Sequence, residues 1–319
     1  MNTSKMLHPD HSAPLVVIVG PTAVGKTEIS IQLAERLGGE IISSDSRLFY
    51  RGMDIGTAKP SPSDLARVPH HLIDVADPDQ VWSLSKFQSA AHQAIAEIHA
   101  RNRLPFLVGG TGQYIKAVIE GWKVPTQAPD TAMRDVLERW AKELGPYGLH
   151  ERLARLDPIA AANIDARNVR RTVRALEVIL LTGKRFSEQR QRSASPYSLM
   201  MIGLQRPRPE LYERVDQRID AMIAAGFVDE VRRLLEQGYA PELPTMSAIG
   251  YREMVAFIKG EMTLEEAKTQ MKRQTRRYVR QQNAWFSPKD AGIHWFDVGP
   301  STVDEIESLI RSGKGWITP

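Results

Sequence analysis

A glycine-rich segment near the beginning of the chain has the residue types and spacing of a phosphate-binding loop. It matches the pattern G-x-x-x-x-G-K-[ST] without a gap and consists of Gly20, Pro21, Thr22, Ala23, Val24, Gly25, Lys26 and Thr27. In such a loop, backbone N–H groups close around phosphate oxygens and the dipole of the following helix attracts the anion. Lys26 supplies a positive charge for the terminal phosphates, and the Thr27 hydroxyl is a suitable ligand for Mg2+. The pattern predicts a phosphorylated ligand, for which a nucleoside triphosphate such as ATP is the default.

The segments around this loop have the patterns that it requires, since a strand must precede it and a helix must follow it. Residues 15–19 are an unbroken apolar run rich in β-branched residues, and residues 26–37 carry apolar residues at helical spacing. Further strands are predicted at residues 40–43, 71–75, 105–108, 198–204 and 294–298, with a helix over residues 85–100. Strands that alternate with helices indicate an α/β fold, here a P-loop NTPase-like parallel sheet flanked by helices.

The middle of the chain has a different pattern. Residues 129–192 contain no convincing strand, and apolar residues recur there at helical spacing. These residues are Met133, Val136, Leu137, Trp140 and Leu144, followed by Val173, Leu176, Ile179 and Leu180. We therefore predict an all-helical insertion domain at residues 124–198. The catalytic core then consists of residues 1–123 and 199–319, with mostly helical structure in its C-terminal part.

The composition excludes several classes of protein. The chain contains no cysteine, so disulfides and cysteine-ligated zinc are impossible, and a cytoplasmic location is expected. No stretch approaches the roughly 18 apolar residues of a membrane span, and residues 1–14 lack the apolar run of a signal peptide. The net charge of +4 is modest, so the placement of the basic residues matters more than their excess.

Two further predicted strand ends carry candidate functional residues. Asp45 follows the strand at residues 40–43, and a glycine-rich segment with Thr111, residues 109–112, follows the strand at residues 105–108. In a parallel sheet these ends lie on the same edge as the phosphate loop. Asp45 can act as a general base or reach a metal ion, or it can simply cap a turn. The glycines and the Thr111 hydroxyl can contact a phosphate or a nucleobase, or the glycines can merely join strand to helix.

Basic residues concentrate in two places. Lys268, Lys272, Arg276 and Arg280 recur every fourth residue with Arg273 and Arg277 beside them, which on a helix forms a basic stripe. No acidic residue occurs between Ala267 and Lys289, so the stripe is not neutralised from within. The predicted insertion carries a second cluster of Arg167, Arg170, Arg171, Arg174, Lys184, Arg185, Arg190 and Arg192. Each cluster can be an ordinary solvated face, but together they favour an RNA stem-loop clamped between them.

Several motifs together resemble the tRNA dimethylallyltransferase family. Besides the phosphate loop they comprise ISSDS at residues 42–46, YRGMDIGTAKP at 50–60, VGGTG at 108–112, RRTVRALE at 170–177, GFVDEV at 226–231 and IGYRE at 249–253. The resemblance runs from about residue 15 to residue 286, and residues 45–60 are far more specific than the phosphate loop. Without cysteine the chain lacks the zinc finger of the eukaryotic relatives and looks like the bacterial form.

This resemblance implies a reaction and a set of residues. A dimethylallyl group would pass from dimethylallyl diphosphate to N6 of the adenosine 3′-adjacent to the anticodon of a tRNA, with Mg2+ as cofactor. Asp45 would be the general base on that amine, Thr111 would hold the flipped adenosine or the phosphate, and Arg218 would lie near the diphosphate. We expect a monomer.

The resemblance and the basic stripe together predict which residues contact the tRNA anticodon stem-loop. The expected residues are Asp45, Ser46, Arg47, Leu48, Thr111, Met133, Arg170, Arg171, Thr172, Val173, Arg174, Ile249, Gly250, Tyr251, Arg252, Arg273, Arg276, Arg277 and Arg280.

Three other functions share part of this pattern. An isopentenyltransferase that acts on free adenine nucleotides needs the same loop and base, but it does not need the insertion or the basic clusters. A small-molecule kinase also combines a phosphate loop with a following aspartate. A non-catalytic RNA-binding protein with a regulatory nucleotide site is the third alternative.

Overall fold

The computed structural model describes residues 13–124, 130–189 and 195–316. The chain divides into two compact units, a core unit of Met1–Ile119 with Ser195–Pro319 and a helical unit of Glu120–Ala194. The predicted end of the insertion at residue 198 is too late, because the strand that returns to the core begins at Tyr197. Among the described residues, no helix combines the length and apolar character that crossing a bilayer requires.

The core unit contains one parallel sheet of six strands. In chain order they are β1 (Ala13–Val19), β2 (Gly39–Ser43), β3 (His70–His71), β4 (Leu104–Gly109), β5 (Tyr197–Gln205) and β6 (His294–Asp297). Their order across the sheet is β3-β2-β4-β1-β5-β6, and every neighbouring pair is parallel. The carboxyl ends of β1, β2 and β4 therefore meet at one edge, where ligands of open α/β sheets bind.

Helices follow the strands on both sides of the insertion. Those of the core unit are α1 (Lys26–Leu37), α2 (Pro62–Arg67), α3 (Leu84–Ala100), α4 (Gly112–Ile119), α8 (Arg208–Ala224), α9 (Phe227–Glu236), α10 (Tyr251–Ile258), α11 (Leu264–Gln282) and α12 (Thr302–Ser312). Those of the helical unit are α5 (Thr131–Leu156), α6 (Pro158–Ala162) and α7 (Val169–Thr182). The predicted α/β fold with a parallel sheet and a helical insertion is confirmed.

The hydrophobic core explains why the central strands were recognisable. Residues Leu15 to Val19 of β1 are completely buried, because β1 lies between β4 and β5 and helices cover both faces of such a sheet. A strand buried on both faces needs no polar residue, so its sequence is a continuous apolar run. The predicted helix at residues 26–37 coincides with α1, which ends at Gly38 in the left-handed conformation.

The prediction of a strand at residues 71–75 is wrong beyond His71. Leu72 and Asp74 have φ angles of 61° and 54°, and a left-handed residue cannot continue an extended strand. The Lys59 ammonium group donates hydrogen bonds to the carboxylates of Asp74 and Asp54. Residues 72–74 therefore form part of a folded polar loop with residues 50–60.

The helical unit has a small core of its own. Leu137, Leu149 and Leu153 of α5 pack with Val173 and Leu176 of α7. The spacing predicted these helices correctly, but it did not predict which apolar side chains are buried. Those of Trp140, Leu144 and Leu180 remain exposed.

A buried glutamate shapes the helical unit. Glu177 of α7 is fully buried and accepts hydrogen bonds from the guanidinium groups of Arg134 and Arg174 and from the backbone N–H of Asp130. These bonds lower the pKa of Glu177, although burial alone would raise it. A buried carboxylate of this kind must keep its partners, because leaving it unpaired is costly.

A second buried glutamate fixes the polar loop beside the sheet edge. The Glu230 carboxylate of α9 is 2% exposed and accepts hydrogen bonds from the N–H groups of Asp54, Ile55 and Gly56 at 3.0, 2.6 and 3.2 Å. It also accepts one from the Tyr251 hydroxyl at 2.6 Å. Bonds to an ionised acceptor are the strong ones, so Glu230 holds the backbone of the loop in one conformation.

We expect Glu230→Gln to lower the free energy of unfolding by about 2 to 3 kcal/mol. The new amide would turn an NH2 group toward backbone N–H donors and leave at least one of them without an acceptor. Urea denaturation measures the change. The control is Glu236→Gln on the exposed face of α9, with an expected effect within about 0.5 kcal/mol; equal effects of the two substitutions would contradict the anchoring role.

Candidate active site

The phosphate loop joins β1 to α1 at the ligand-binding edge of the sheet. The Lys26 ammonium group donates hydrogen bonds to the carbonyl oxygens of Gly20 and Pro21 at 3.0 and 2.9 Å. The first N–H groups of α1 have no acceptor within the helix, which leaves them available to an anion. Lys26 therefore both shapes the loop and adds positive charge to it.

Two arginines from the distant C-terminal half hold the outer side of the loop. Arg214 of α8 donates to the carbonyl oxygen of Ala23 at 2.8 Å, and Arg206 donates to that of Val24 at 3.0 Å. Ala23 has a φ of 67°, which is unfavourable for alanine. These two hydrogen bonds engage the carbonyl oxygens, which would repel a bound anion if they faced it.

A cavity of about 540 Å³ opens beside the loop. One face of α8 lines it with Arg214, Gln217, Arg218 and Ala221, which are spaced as helix neighbours. The remaining wall comes from the loop, the strand ends and the polar loop: Thr22, Ala23, Gly25, Lys26, Thr27, Glu28, Ser30, Ile41, Ser43, Asp45, Leu48, Thr57, Ala58, Pro60, His70, Ile73, Val108 and Gly109. The cavity thus combines cationic, acidic and apolar surfaces.

Two cations in this cavity, Lys26 and Arg218, are strongly desolvated. Burial lowers the pKa of Lys26 to about 8; the Asp45 carboxylate opposes this shift and the Arg218 guanidinium adds to it. Burial also lowers the pKa of Arg218, against the attraction of Asp45. Arg218 donates a hydrogen bond to the carbonyl oxygen of Thr57 at 3.3 Å, which fixes it at the cavity wall. Two desolvated cations beside a helix N-terminus make this end of the cavity a site for a multiply charged anion.

Asp45 also lines the cavity and lies two residues after the end of β2. Its Oδ1 accepts a hydrogen bond from the N–H of Arg47 at 3.0 Å, so it caps a turn as one interpretation proposed. The same cavity is lined by Lys26 and Arg218. The turn fixes the side chain, and a carboxylate so placed can accept a proton from a bound substrate.

The residues of the segment 109–112 have different surroundings. Gly109 lines the cavity, whereas Thr111 is not part of the lining among the described residues. A Cβ atom at Gly110 would lie 2.2 Å from Nε2 of Gln282, and one at Gly112 would lie 2.3 Å from the Trp285 ring. These two glycines are required by the close approach of α11 and of Trp285 shortly after it, which favours the packing interpretation over phosphate contact for Gly110 and Gly112.

Not all of the phosphate loop faces the cavity. Gly20, Pro21 and Val24 are absent from its described lining, and Val24 is completely buried. These three residues belong to the loop but do not line the cavity. The lining residues of the loop are Thr22, Ala23, Gly25, Lys26 and Thr27.

The basic stripe on α11 is only partly a free surface. Lys268 and Lys272 pair with Asp220 of α8, and Arg276 pairs with Asp216. The expectation of a continuous unneutralised stripe is therefore wrong, because the acidic partners come from another helix. Three arginines of α11, Arg273, Arg277 and Arg280, are exposed.

Several residues expected at the RNA surface lie in the interior. Thr172 and Val173 are buried in the helical unit, and Gly250 and Tyr251 are buried in the core unit. The side chains of Thr172, Val173 and Tyr251 are closed to RNA in this structure, because α7 turns its apolar face inward and Tyr251 is hydrogen-bonded to Glu230. Met133 packs against the core of the helical unit.

The other residues expected to contact RNA differ in their exposure to solvent. Arg170 and Arg171 are exposed, as is Arg252, which pairs with Glu253. Ser46, Arg47 and Ile249 are half-buried. Arg190 and Arg192 lie outside the described residues.

The sequence interpretation missed the residues that reach the loop from far along the chain. These are Arg206, Arg214 and Gln282, none of which belongs to a local motif. One signal could have found Arg214, because it lies four residues before Arg218 and so occupies the same face of a helix.

No cluster of three or more His, Cys, Asp or Glu side chains suited to a metal ion occurs in residues 13–124, 130–189 and 195–316. Thr27 and Asp45 do supply oxygen atoms to the cavity wall. This donor set fits an ion that arrives together with phosphate oxygens, as Mg2+ commonly does.

Comparison with known proteins gives consistent matches. The family model described as IPP transferase matches residues 48–289, and that described as isopentenyl transferase matches residues 13–77. A tRNA dimethylallyltransferase of Roseiflexus sp. (strain RS-1) is 56% identical over 86% of this chain and 90% of its own length. One from Roseiflexus castenholzii is 55% identical over 93% of this chain and 97% of its own length.

Solved structures agree with the sequence matches. The tRNA isopentenylpyrophosphate transferase of Bacillus halodurans has a TM-score of 0.70 and 46% identity, covering 94% of this chain and 96% of its own. A eukaryotic dimethylallyltransferase acting on tRNA has a TM-score of 0.77 and 26% identity, covering 93% of this chain and 78% of its own.

The lowered pKa of Lys26 generates a prediction about pH. Above about pH 8 the unliganded protein loses the Lys26 charge, so its affinity for inorganic pyrophosphate should fall relative to that of a Lys26→Arg variant. The guanidinium of that variant stays charged throughout this range. Both affinities are measured by calorimetry from pH 7 to 9.5. The titration of pyrophosphate itself affects both proteins equally, so it cancels in the ratio of the two affinities. A ratio that is constant with pH would contradict the assignment.

Proposed function

The chain belongs to the IPP transferase family, and from this premise we propose how its cavity carries out the reaction. The chain transfers a dimethylallyl group to adenosine in tRNA, and the donor, dimethylallyl diphosphate, binds with its diphosphate at the phosphate loop. The observation that carries this proposal is one cavity lined by Lys26, Arg214 and Arg218 together with the Asp45 carboxylate.

The reaction makes one bond and breaks another. The bond between C1 of the dimethylallyl group and the diphosphate oxygen breaks, and a bond forms between C1 and N6 of the adenosine. Asp45 accepts the proton that N6 loses. The departing diphosphate gains negative charge, and Lys26, Arg218 and the N–H groups of the loop stabilise it.

Mg2+ is part of the proposal as a cofactor, with the Thr27 hydroxyl as its protein ligand. When bound, the ion neutralises charge on the diphosphate.

The target base must leave its stack to reach this cavity. We propose that the substrate is the adenosine directly 3′ of the anticodon in an anticodon stem-loop and that the protein acts as a monomer. The exposed Arg273, Arg277 and Arg280 of α11 supply phosphate contacts, as do Arg170 and Arg171 of the helical unit. Thr111 lies outside the described cavity lining, and its contact with the flipped adenosine or the phosphate stays a prediction.

The alternatives fit less well. The relatives are named for acting on tRNA, which argues against an enzyme of free adenine nucleotides and against a kinase. A carboxylate in the same cavity as the proposed diphosphate site argues against a purely RNA-binding role, because phosphate binding alone does not require it.

Asp45→Asn tests the proposed base. An amide cannot take the proton from N6, so we expect the rate of transfer to fall by about 10²- to 10⁴-fold, with tRNA affinity within about threefold of the wild-type value. Transfer of labelled dimethylallyl diphosphate to an unmodified stem-loop measures the rate, and Asp79→Asn at an exposed position serves as the control. Undiminished transfer by Asp45→Asn would exclude Asp45 as the base.

Two neighbouring arginines of α11 test the RNA surface. Each phosphate contact contributes about −0.9 to the slope of log affinity against log salt concentration for a duplex and about −0.7 for a single strand. We therefore expect Arg277→Gln to make the slope less steep by about one contact. Arg276→Gln should leave the slope unchanged, because Arg276 is already paired with Asp216. Stem-loop affinities between 50 and 200 mM salt give the slopes, and equal changes in both variants would show that α11 is not oriented as proposed.

A further inference from the structure

One side chain joins the two glycine-rich segments of the site. Gln282, the last residue of α11, is 8% exposed and lies between the phosphate loop and the segment after β4. Its Oε1 accepts a hydrogen bond from the N–H of Thr22 at 2.8 Å, and its Nε2 donates to the carbonyl oxygen of Gly110 at 3.2 Å. The loops that follow β1 and β4 are thus connected through a residue that lies 260 positions away from Thr22.

The chemistry of this position requires an amide. Thr22 offers a donor and Gly110 offers an acceptor, and only a side chain with both functions satisfies the two at once. A carboxylate accepts but cannot donate, and an apolar side chain of similar length does neither. With a carboxylate the Gly110 carbonyl group would lose its donor, and with an apolar side chain both backbone groups would lose their partners. Leaving such groups unpaired in a mostly buried place costs free energy.

The surroundings show that the contact is specific. A Cβ atom at Gly110 would lie 2.2 Å from Nε2 of Gln282, so any other residue at 110 would push the amide away. Tyr278 lies one turn earlier on α11. The amide is therefore held by its two hydrogen bonds and by the close approach of Gly110.

We propose that Gln282 is a positioning residue that sets the phosphate loop for the diphosphate, an inference that rests on the proposed function. Thr22 lines the cavity next to Lys26, and its backbone orientation depends on the bond to Oε1. Gln282 is not in the described cavity lining, so it acts through Thr22 and Gly110. Its loss should weaken binding of the diphosphate and leave binding of the RNA intact.

Two substitutions test this role. Gln282→Met keeps the length and removes both hydrogen bonds, and we expect the Kd for inorganic pyrophosphate with Mg2+ to rise about 10- to 100-fold. Gln282→Glu should raise it further at neutral pH, because the carboxylate cannot donate to Gly110 and adds negative charge beside the anion. Protonation of the introduced carboxyl group restores one donor and one acceptor. The Kd of Gln282→Glu should therefore approach the wild-type value as the pH falls.

The control is Gln281→Glu, which introduces the same charge at the exposed neighbouring position of α11. It should bind pyrophosphate within about threefold of the wild type at every pH. The denaturation temperature and the Kd for an anticodon stem-loop are measured for all variants. The stem-loop Kd should be nearly unchanged, whereas the two Gln282 variants should denature a few degrees below the wild type because they lose buried hydrogen bonds.

Wild-type affinity for pyrophosphate in Gln282→Met would overturn the proposal. So would a pH-independent ratio between the Kd values of Gln282→Glu and the wild type, or an equal loss of stem-loop and pyrophosphate affinity, which would indicate a general structural defect. Pyrophosphate binding is measured without any transfer of the dimethylallyl group. Absence of transfer by the wild type would therefore contradict the proposed function and leave this test readable.

Discussion

The site depends on holding the carbonyl oxygens of the phosphate loop away from a bound anion. A loop of this kind binds phosphate through its N–H groups, so each carbonyl oxygen that turned inward would repel the ligand. Here the carbonyl oxygens of Gly20 and Pro21 accept from Lys26, and arginines from beyond the insertion hold two more. The loop is therefore completed only when the C-terminal half of the core unit has folded onto the sheet.

Buried polar side chains hold the backbone of the other loops of the site in place. Glu230 collects three backbone N–H groups of the polar loop, and Gln282 joins the phosphate loop to the segment after β4. Neither residue is itself part of the described cavity lining. Some residues of the family motifs therefore face the cavity, as Asp45 does, whereas others, such as Tyr251, hold the loops in place.

The local sequence predicted those features that local physics determines. The apolar run at residues 15–19 identified β1, because a strand covered on both faces needs no alternation, and Asp45 was placed correctly because it directly follows a strand. The contacts that Gln282 and Arg206 make with the phosphate loop could not be predicted, since nothing in their neighbourhood indicates a partner so far along the chain. The stripe on α11 was overestimated for the same reason, because Asp216 and Asp220 lie on another helix. The end of β3 depends on the left-handed residues Leu72 and Asp74, which no spacing rule reveals.

The central claim is that one cavity brings a diphosphate donor and a tRNA adenosine to Asp45. The most direct measurement incubates the protein with labelled dimethylallyl diphosphate, Mg2+ and an unmodified anticodon stem-loop, and then identifies the labelled nucleoside by mass spectrometry. The account predicts a single dimethylallyl group on N6 of the adenosine directly 3′ of the anticodon, with release of diphosphate. An unlabelled stem-loop, accompanied by consumption of ATP when ATP is supplied, would contradict it.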